Sequence, residues 1–447
     1  MATPPRYLKL AVLCNTGPFV WLDPSARSES DMDFSLYEHM AKTAERGKLD
    51  ILFLADGVGI KNRGLSPLQL ERMGNPVSFE PLTLLAALAG VTKHVGLVAT
   101  ASTTYHHPYH IARLFGSLDF LTRGRAGWNV ITSGSDEEAY NFGYEAQLPS
   151  EVRYERANEV VDAVFALWDS FEDDAFIRDR AARRYFDAAK MHETLHEGRF
   201  FKIRGPLNLP RPPQGRPIIS QAGTSPAGHE LAARTADVMY AKYATHAGGR
   251  EFQARIRAAA ARHGRRPDAV AVLPGFFCVC GGTESEAQRR FAEVQQFLDD
   301  AAGMSLIRGL WGVDLTGLSP DEPLPDLPEI RKYTHGGDFN RLRNGRPITI
   351  RDAFRWLSSA YGHISVVGTP EQIADSMEGW YREGGADGFN LFLHYLPGSL
   401  DDFVDQVVPI LQRRGLIRTE YTGTTLRDHL GLERPAHKGA GNRAAPA

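Results

Sequence analysis

The chain has 447 residues, with 43% hydrophobic and 23% charged residues. This is the composition of a globular protein with a large core, long enough for one large or two medium domains. The formal net charge of −3 supplies no basic field for a polyanion, so a nucleic-acid partner is not expected. No apolar run approaches the roughly 20 residues that span a bilayer, and the N-terminal residues Met1-Ala-Thr-Pro-Pro-Arg6 lack the pattern of a signal peptide. A cytoplasmic protein with no membrane partner is expected.

In chain order, short apolar runs alternate with stretches of helical period. The runs 8–14, 51–55, 95–99, 126–130, 217–221, 238–241, 270–280 and 388–393 read as eight strands. Most are continuously apolar, as in strands covered on both faces. The helical stretches between them carry start and stop signals, such as Glu80 before Pro81 and Gly47 after a periodic run. Strict alternation implies a parallel sheet, and eight units at this length imply a closed (β/α)8 TIM barrel of the α/β class.

Two connections exceed simple turns, at about 132–216 after strand 4 and 298–387 after strand 7. Insertions of this length in a compact domain act as lids or interface segments. We expect one barrel domain over 1–433 and a disordered tail over 434–447, which is rich in Ala, Gly and Pro. The three cysteines, Cys14, Cys278 and Cys280, lie in apolar runs and read as reduced core residues.

His192-Glu193-Thr194-Leu195-His196 matches the H-E-x-x-H zinc pattern, but Gly198 follows at once and no helix extends beyond the second histidine. A loop is expected there, and no metal site. His106-His107-Pro108-Tyr109-His110 follows strand 3, at the rim where barrel enzymes keep their chemistry, and His107 is a candidate pocket residue.

No P-loop and no Rossmann fingerprint occurs. A phosphate would therefore be held by a loop and a helix N-terminus. Gln221-Ala222-Gly223-Thr224-Ser225-Pro226-Ala227-Gly228 is suited to hold one. Gly223 permits close backbone approach, Thr224 and Ser225 offer hydroxyls, and Ser225 caps a helix that starts at Pro226. Other strand ends carry polar groups: Asp56 after strand 2, Ser102 and Thr103 after strand 3, and Asn129 within strand 4.

Taken in order, several stretches resemble the bacterial-luciferase-like flavin monooxygenases, within them the nitrilotriacetate, EDTA and dibenzothiophene-sulfone group. They include Phe53-Leu54-Ala55-Asp56, Glu80-Pro81-Leu82-Thr83, Thr103-Thr104-Tyr105, Trp128-Asn129-Val130-Ile131-Thr132-Ser133, Arg153-Tyr154-Glu155-Arg156, Ser225-Pro226-Ala227-Gly228 and Val367-Gly368-Thr369-Pro370. The resemblance covers nearly the whole chain. It implies a two-component monooxygenase acting on a small organic substrate. The cofactor would be FMN, used as FMNH2 from a separate NAD(P)H:flavin reductase, with O2 as co-substrate. It also implies a homodimer or homotetramer.

By the same resemblance Asp56, Ser102 or Thr103, Tyr154 and Ser225 would contact FMN, with Thr224, Ser225 and the backbone at Gly223 around the phosphate. Asn129 and Thr103 would lie near the flavin edge where oxygen reacts. The family usually has a histidine four residues before the tyrosine matching Tyr154, and here that position is Ser150. The competing reading is a flavin- or deazaflavin-dependent oxidoreductase of the same superfamily that does not oxygenate.

Overall fold

The computed structural model describes residues 7–14, 20–22, 32–60, 71, 77–223, 225–243, 245–296, 298–334, 346–360, 362–393 and 395–437. Thr224 lies outside them, as do residues 335–345 of the second insertion.

The eight expected strands all form. They are β1 (Lys9–Leu13), β2 (Ile51–Leu54), β3 (Gly96–Ser102) and β4 (Ala126–Ile131), followed, after the two-stranded hairpin β5 (His196–Glu197) and β6 (Lys202–Ile203), by β7 (Ile218–Gln221), β8 (Val238–Ala241) and β9 (Ala271–Cys280). Beyond β10 (Ile364–Gly368), β11 (Gly388–Leu393) completes the set. Parallel pairing runs β1-β2-β3-β4-β7-β8-β9 and then β11, and β11 returns to β1 with Lys9 opposite Gly388. The sheet is thus a closed (β/α)8 barrel.

β10 was not among the expected strands. It pairs along Phe276–Cys280, beyond the point where β8 leaves β9 at Pro274.

The helices around the ring begin with α1 (Phe34–Arg46), α2 (Pro81–Ala89), α3 (Pro108–Leu121), α4 (Asp136–Tyr140) and α5 (Ser150–Trp168). There follow α6 (Pro226–Thr235), α7 (His246–Arg262), α8 (Glu284–Gln295), α9 (Asp300–Trp311), α10 (Pro328–Thr334), α11 (Ile350–Ala360) and α12 (Pro370–Arg382). Residues 398–413 form one further helix, α13, with a π turn at Phe403–Val407, and α14 is Leu426–Leu430.

Their starts follow from local chemistry. Glu80 accepts from the N–H groups of Leu82 and Thr83, with Pro81 at the first position. Thr369 and Gln372 form a reciprocal capping box, again followed by proline. Helix α3 starts at Pro108, which occupies the position where its missing N–H is harmless, with His107 as cap.

The main core lies between sheet and helices. Leu10, Val12, Leu52, Leu97, Trp128 and Phe276 point outward into it, all nearly or fully buried. Alternate residues fill the barrel: Ile51, Phe53, Val98, Ile218, Val238, Tyr240 and Leu273. Phe53 and Tyr240 stack across it with ring centroids 4.4 Å apart. Leu426 and Leu430 of α14 join this interior cluster and plug the N-terminal mouth. A Cβ at Gly96 would lie 2.6 Å from the Leu426 side chain, so the plug is seated with no spare space. Leu426→Ala is therefore expected to cost about 2–5 kcal/mol of stability, read as a lowered midpoint in urea.

The second insertion carries its own small core, in which Ile307, Trp311, Ile350, Phe354 and Leu357 are buried together. Arg434 pairs with Asp173 at 2.5 Å, and His437 Nε2 lies 2.8 Å from the Asp169 carbonyl. The first four residues of the expected tail are thus held, and residues 438–447 lie outside the described set. All three cysteines are free and buried. Among the described residues no helix is long and apolar enough to cross a membrane.

Candidate active site

The C-terminal rim is built around three loops. After β4 the chain turns at Ser133, whose φ of 53° is unusual for a residue with a side chain. Glu138, buried on α4, accepts from the N–H groups of Gly134 (3.1 Å), Ser135 (3.3 Å) and Val58 (3.3 Å). It thereby ties the loop after β4 to the loop after β2.

Ser133 Oγ lies 3.0 Å from both Ser102 Oγ and Glu138 Oε1. One hydroxyl hydrogen cannot serve both, so Ser102 donates to Ser133 and Ser133 donates to the carboxylate. Ser102 Oγ also accepts from Thr104 N at 3.2 Å. Burial alone would raise the Glu138 pKa, but the hydrogen bonds from Gly134, Ser133, Ser135 and Val58 outweigh it and hold the group below the ordinary glutamate range. Asp56, Ile131, Ser133, Gly134, Ser135 and Glu138 line a cavity of about 380 Å³.

The second loop follows β7. Ser225 caps α6, accepting from Gly228 N at 3.1 Å, and its hydroxyl lies 3.2 Å from Tyr154 Oη. A Cβ at Gly223 would lie 3.1 Å from Gly228 Cα and 3.2 Å from Tyr154 Oη, and one at Gly228 would lie 2.9 Å from Tyr154 Oη. The first turn of α6 contains no acidic residue. Two glycines, a tyrosine hydroxyl, a serine hydroxyl and a positive helix end therefore converge on one small cradle, which fits the phosphate of a mononucleotide.

The third loop follows β3. Thr103 is completely enclosed; its Oγ1 donates to the Ile131 carbonyl at 3.0 Å and its own carbonyl accepts from Arg156 Nε at 3.2 Å. Asn129 is 3% exposed and donates to Thr100 Oγ1 at 3.0 Å, one register step below the rim. Thr103 and Asn129 thus shape the rim from beneath, and neither presents appreciable surface to the cavity.

His107 is exposed as the cap of α3, edge-on to Phe201 at 5.3 Å. Desolvation, then His110 and Arg156, hold its pKa below the usual histidine value. Ser150 opens α5 as an exposed residue one turn before Tyr154, at an end with no side-chain cap bond. The H-E-x-x-H histidines go to separate carboxylates, His192 to Glu172 at 3.1 Å and His196 to Glu159 at 3.2 Å.

Three rim residues had no assigned role from sequence: Glu138, Arg153 and Arg156. Arg153 gives hydrogen bonds to Thr132 Oγ1 and to the Leu148 and Ser133 carbonyls, and Arg156 lies over the Phe201 ring at 4.5 Å. A signal existed for Glu138, since Ser135-Asp136-Glu137-Glu138 is a capping-box sequence and forms that box.

The family model for luciferase-like monooxygenases matches residues 8–388. The chain belongs to that family. It is 45% identical to N-acetyl-S-(2-succino)cysteine monooxygenase of Bacillus subtilis (strain 168), covering 98% of this chain and 99% of that one. It is 47% identical to nitrilotriacetate monooxygenase component A of Aminobacter aminovorans, covering 93% of each. Among solved structures, DmoA from Hyphomicrobium sulfonivorans superimposes with a TM-score of 0.87 at 32% identity, over 95% of this chain and 92% of that one. This luciferase-like chain is thus a flavin-dependent monooxygenase, as its sequence led us to expect, and its relatives fall in the expected group.

Proposed function

We propose that this luciferase-like chain is the oxygenating component of a two-component system. It takes FMNH2 from a separate NAD(P)H:flavin reductase and uses O2 to oxygenate a small organic molecule at or beside a C–S or C–N bond. The observation that carries the FMN assignment is the cradle of Gly223, Gly228, Tyr154 and Ser225 at the start of α6. The substrate class rests on the relatives, which include a succinocysteine and a nitrilotriacetate monooxygenase. That the latter is a "component A" supports a separate reductase.

When bound, FMNH2 supplies the activation of O2. The protein's own contributions are position, charge and exclusion of water. Ser225, Tyr154 and the backbone at Gly223 would hold the phosphate. Asp56, which lines the cavity with Ser133 and Glu138, would accept a hydrogen bond from the ring system. Ser102, Thr103 and Asn129 fix the strand ends beneath it. His107 and Ser150 border the entrance. The second insertion, which has a core of its own, is the candidate lid that would keep water from the reacting centre.

The enzyme works as a homo-oligomer in the cytoplasm. Leu114 and Leu121 are exposed on α3, as are Ala86 and Ala87 on α2, and such faces pair between copies. The free buried thiols fit a reducing compartment.

The test is anaerobic titration with FMNH2. Binding at micromolar concentration is expected, and its absence would count decisively against the reading. Asp56→Ala and Ser225→Ala should each weaken binding about tenfold, equivalent to ~1.4 kcal/mol; unchanged affinity in both would remove the assigned site. Oxygen uptake with FMNH2 and a panel of thioethers, sulfones and aminocarboxylates separates oxygenation from a reductase that merely binds flavin.

A further inference from the structure

Lys242 follows directly on the end of β8 at Ala241. Val238 and Tyr240 point into the barrel, and Lys242, two residues after Tyr240, stands at the C-terminal rim beside Gly362 and His363. Among the described residues Lys242 makes no ion pair and no hydrogen bond. Its side chain is open to solvent, yet surrounding protein lowers its pKa below the ordinary lysine value by desolvation, with no carboxylate acting on it. An ammonium that water can reach while protein packs against its stem attracts an anion more strongly than one fully surrounded by water.

The protein beside this ammonium comes from the second insertion where it rejoins the barrel. A Cβ at Gly362 would lie 2.8 Å from Lys242 Cε and 3.2 Å from Nζ, and this glycine has a φ of 80°. The next residue, His363, stacks on Phe392 of β11 with centroids 4.7 Å apart. Its ring fills the space above Gly275 of β9, where any side chain would collide with Nδ1. Burial, then the neighbouring Lys242, hold the imidazole neutral, with a pKa of about 3. His363 therefore brings no second charge. It is a neutral wall beside Lys242, which has no carboxylate partner among the described residues.

We propose that Lys242 is the anion-binding residue of the substrate pocket and that the substrate carries a carboxylate which it holds. The assignment rests on the monooxygenase reading and deepens it. Lys242 follows β8 and the phosphate cradle follows β7, so the substrate anion and the flavin phosphate would occupy neighbouring units of one rim. The shared chemistry is an anionic oxygen group beside an ammonium, and the two sources, substrate carboxylate and flavin phosphate, are distinguished by measurement.

The experiment uses the full chain and isothermal titration with 2,2′-thiodiacetate and its neutral diamide, with and without FMN. The wild type should bind the diacid at least about tenfold more tightly than the diamide. Lys242→Met should erase the preference, Lys242→Arg should keep most of it, and FMN affinity should stay within about twofold in all three proteins. Equal binding of diacid and diamide by the wild type, or binding of neither, overturns the proposal, as does a preference that survives Lys242→Met. A tenfold loss of FMN affinity in Lys242→Met also overturns it, by assigning the lysine to the flavin phosphate. Failure of the wild type to bind FMN strikes the proposed function instead, and the same titrations read it separately.

Discussion

Replacing Gly228 with valine is expected to weaken FMN binding at least about 100-fold while leaving the barrel folded. A Cβ at this position would lie 2.9 Å from Tyr154 Oη and 3.0 Å from Gly223 Cα. The tyrosine hydroxyl is the end of a side chain and can swing away. The Gly223 α-carbon is backbone and moves only if the loop after β7 opens. Valine adds two methyl groups to that conflict, so the loop must leave the position from which its N–H groups meet a phosphate. A factor of 100 corresponds to ~2.7 kcal/mol, which the loss of two or three hydrogen bonds to a charged group readily supplies. The control is Gly248, which stands in the same place relative to Thr245 and α7 as Gly228 does to Ser225 and α6. A Cβ there would meet only Thr245 Oγ1 at 3.1 Å and Tyr243 Cβ at 3.8 Å, both side-chain atoms. Gly248→Ala should leave FMN affinity within about twofold. Anaerobic fluorescence titration reads the affinity, and circular dichroism confirms that both variants are folded. Equal affinity of Gly228→Val and wild type would show that the cradle is not the phosphate site.

The barrel was legible because its strands are buried on both faces and so appear as unbroken apolar runs, each closed by a turn or capping residue. β10 escaped for a physical reason. It is partly exposed over Ser365–Val367 and pairs only with the far end of β9, so it lacks the uniform burial that marks the others. Its trace in the sequence is the length of β9: a ten-residue apolar run among strands of four to seven residues needs a further partner beyond the ring. The capped start of α6 was legible as well, since Ser225, Pro226 and the glycines are a helix start with their own chemistry. The hydrogen-bond layer under the rim was not. Thr103 and Asn129 were expected near the flavin edge, and which way a polar residue at a strand end points depends on pairing with strands distant in sequence. Here those pairings turn Thr103 to the Ile131 carbonyl and Asn129 to Thr100.

Glu138→Ala should destabilise the protein by about 2–4 kcal/mol and remove most of the activity, although Glu138 need not touch a ligand. The carboxylate gathers the N–H groups of Val58, Gly134 and Ser135 and the Ser133 hydroxyl, so its removal strips the common acceptor from two loops that border Asp56. The pH dependence carries the sign of a carboxylate held below its ordinary pKa. Its stabilising contribution is fully present above the ordinary glutamate value and is lost as pH falls through the lowered value in the folded protein. Wild type should therefore lose stability more steeply than Glu138→Ala between neutral and acid pH, and the two unfolding curves should converge at the acid end. Parallel curves would mean that this carboxylate does not organise the rim. Glu138→Gln separates charge from connectivity: the amide retains one acceptor oxygen but turns an N–H2 group toward donors. It should fall nearer to alanine than to wild type in stability, with Asp56 displaced and FMN affinity reduced in step.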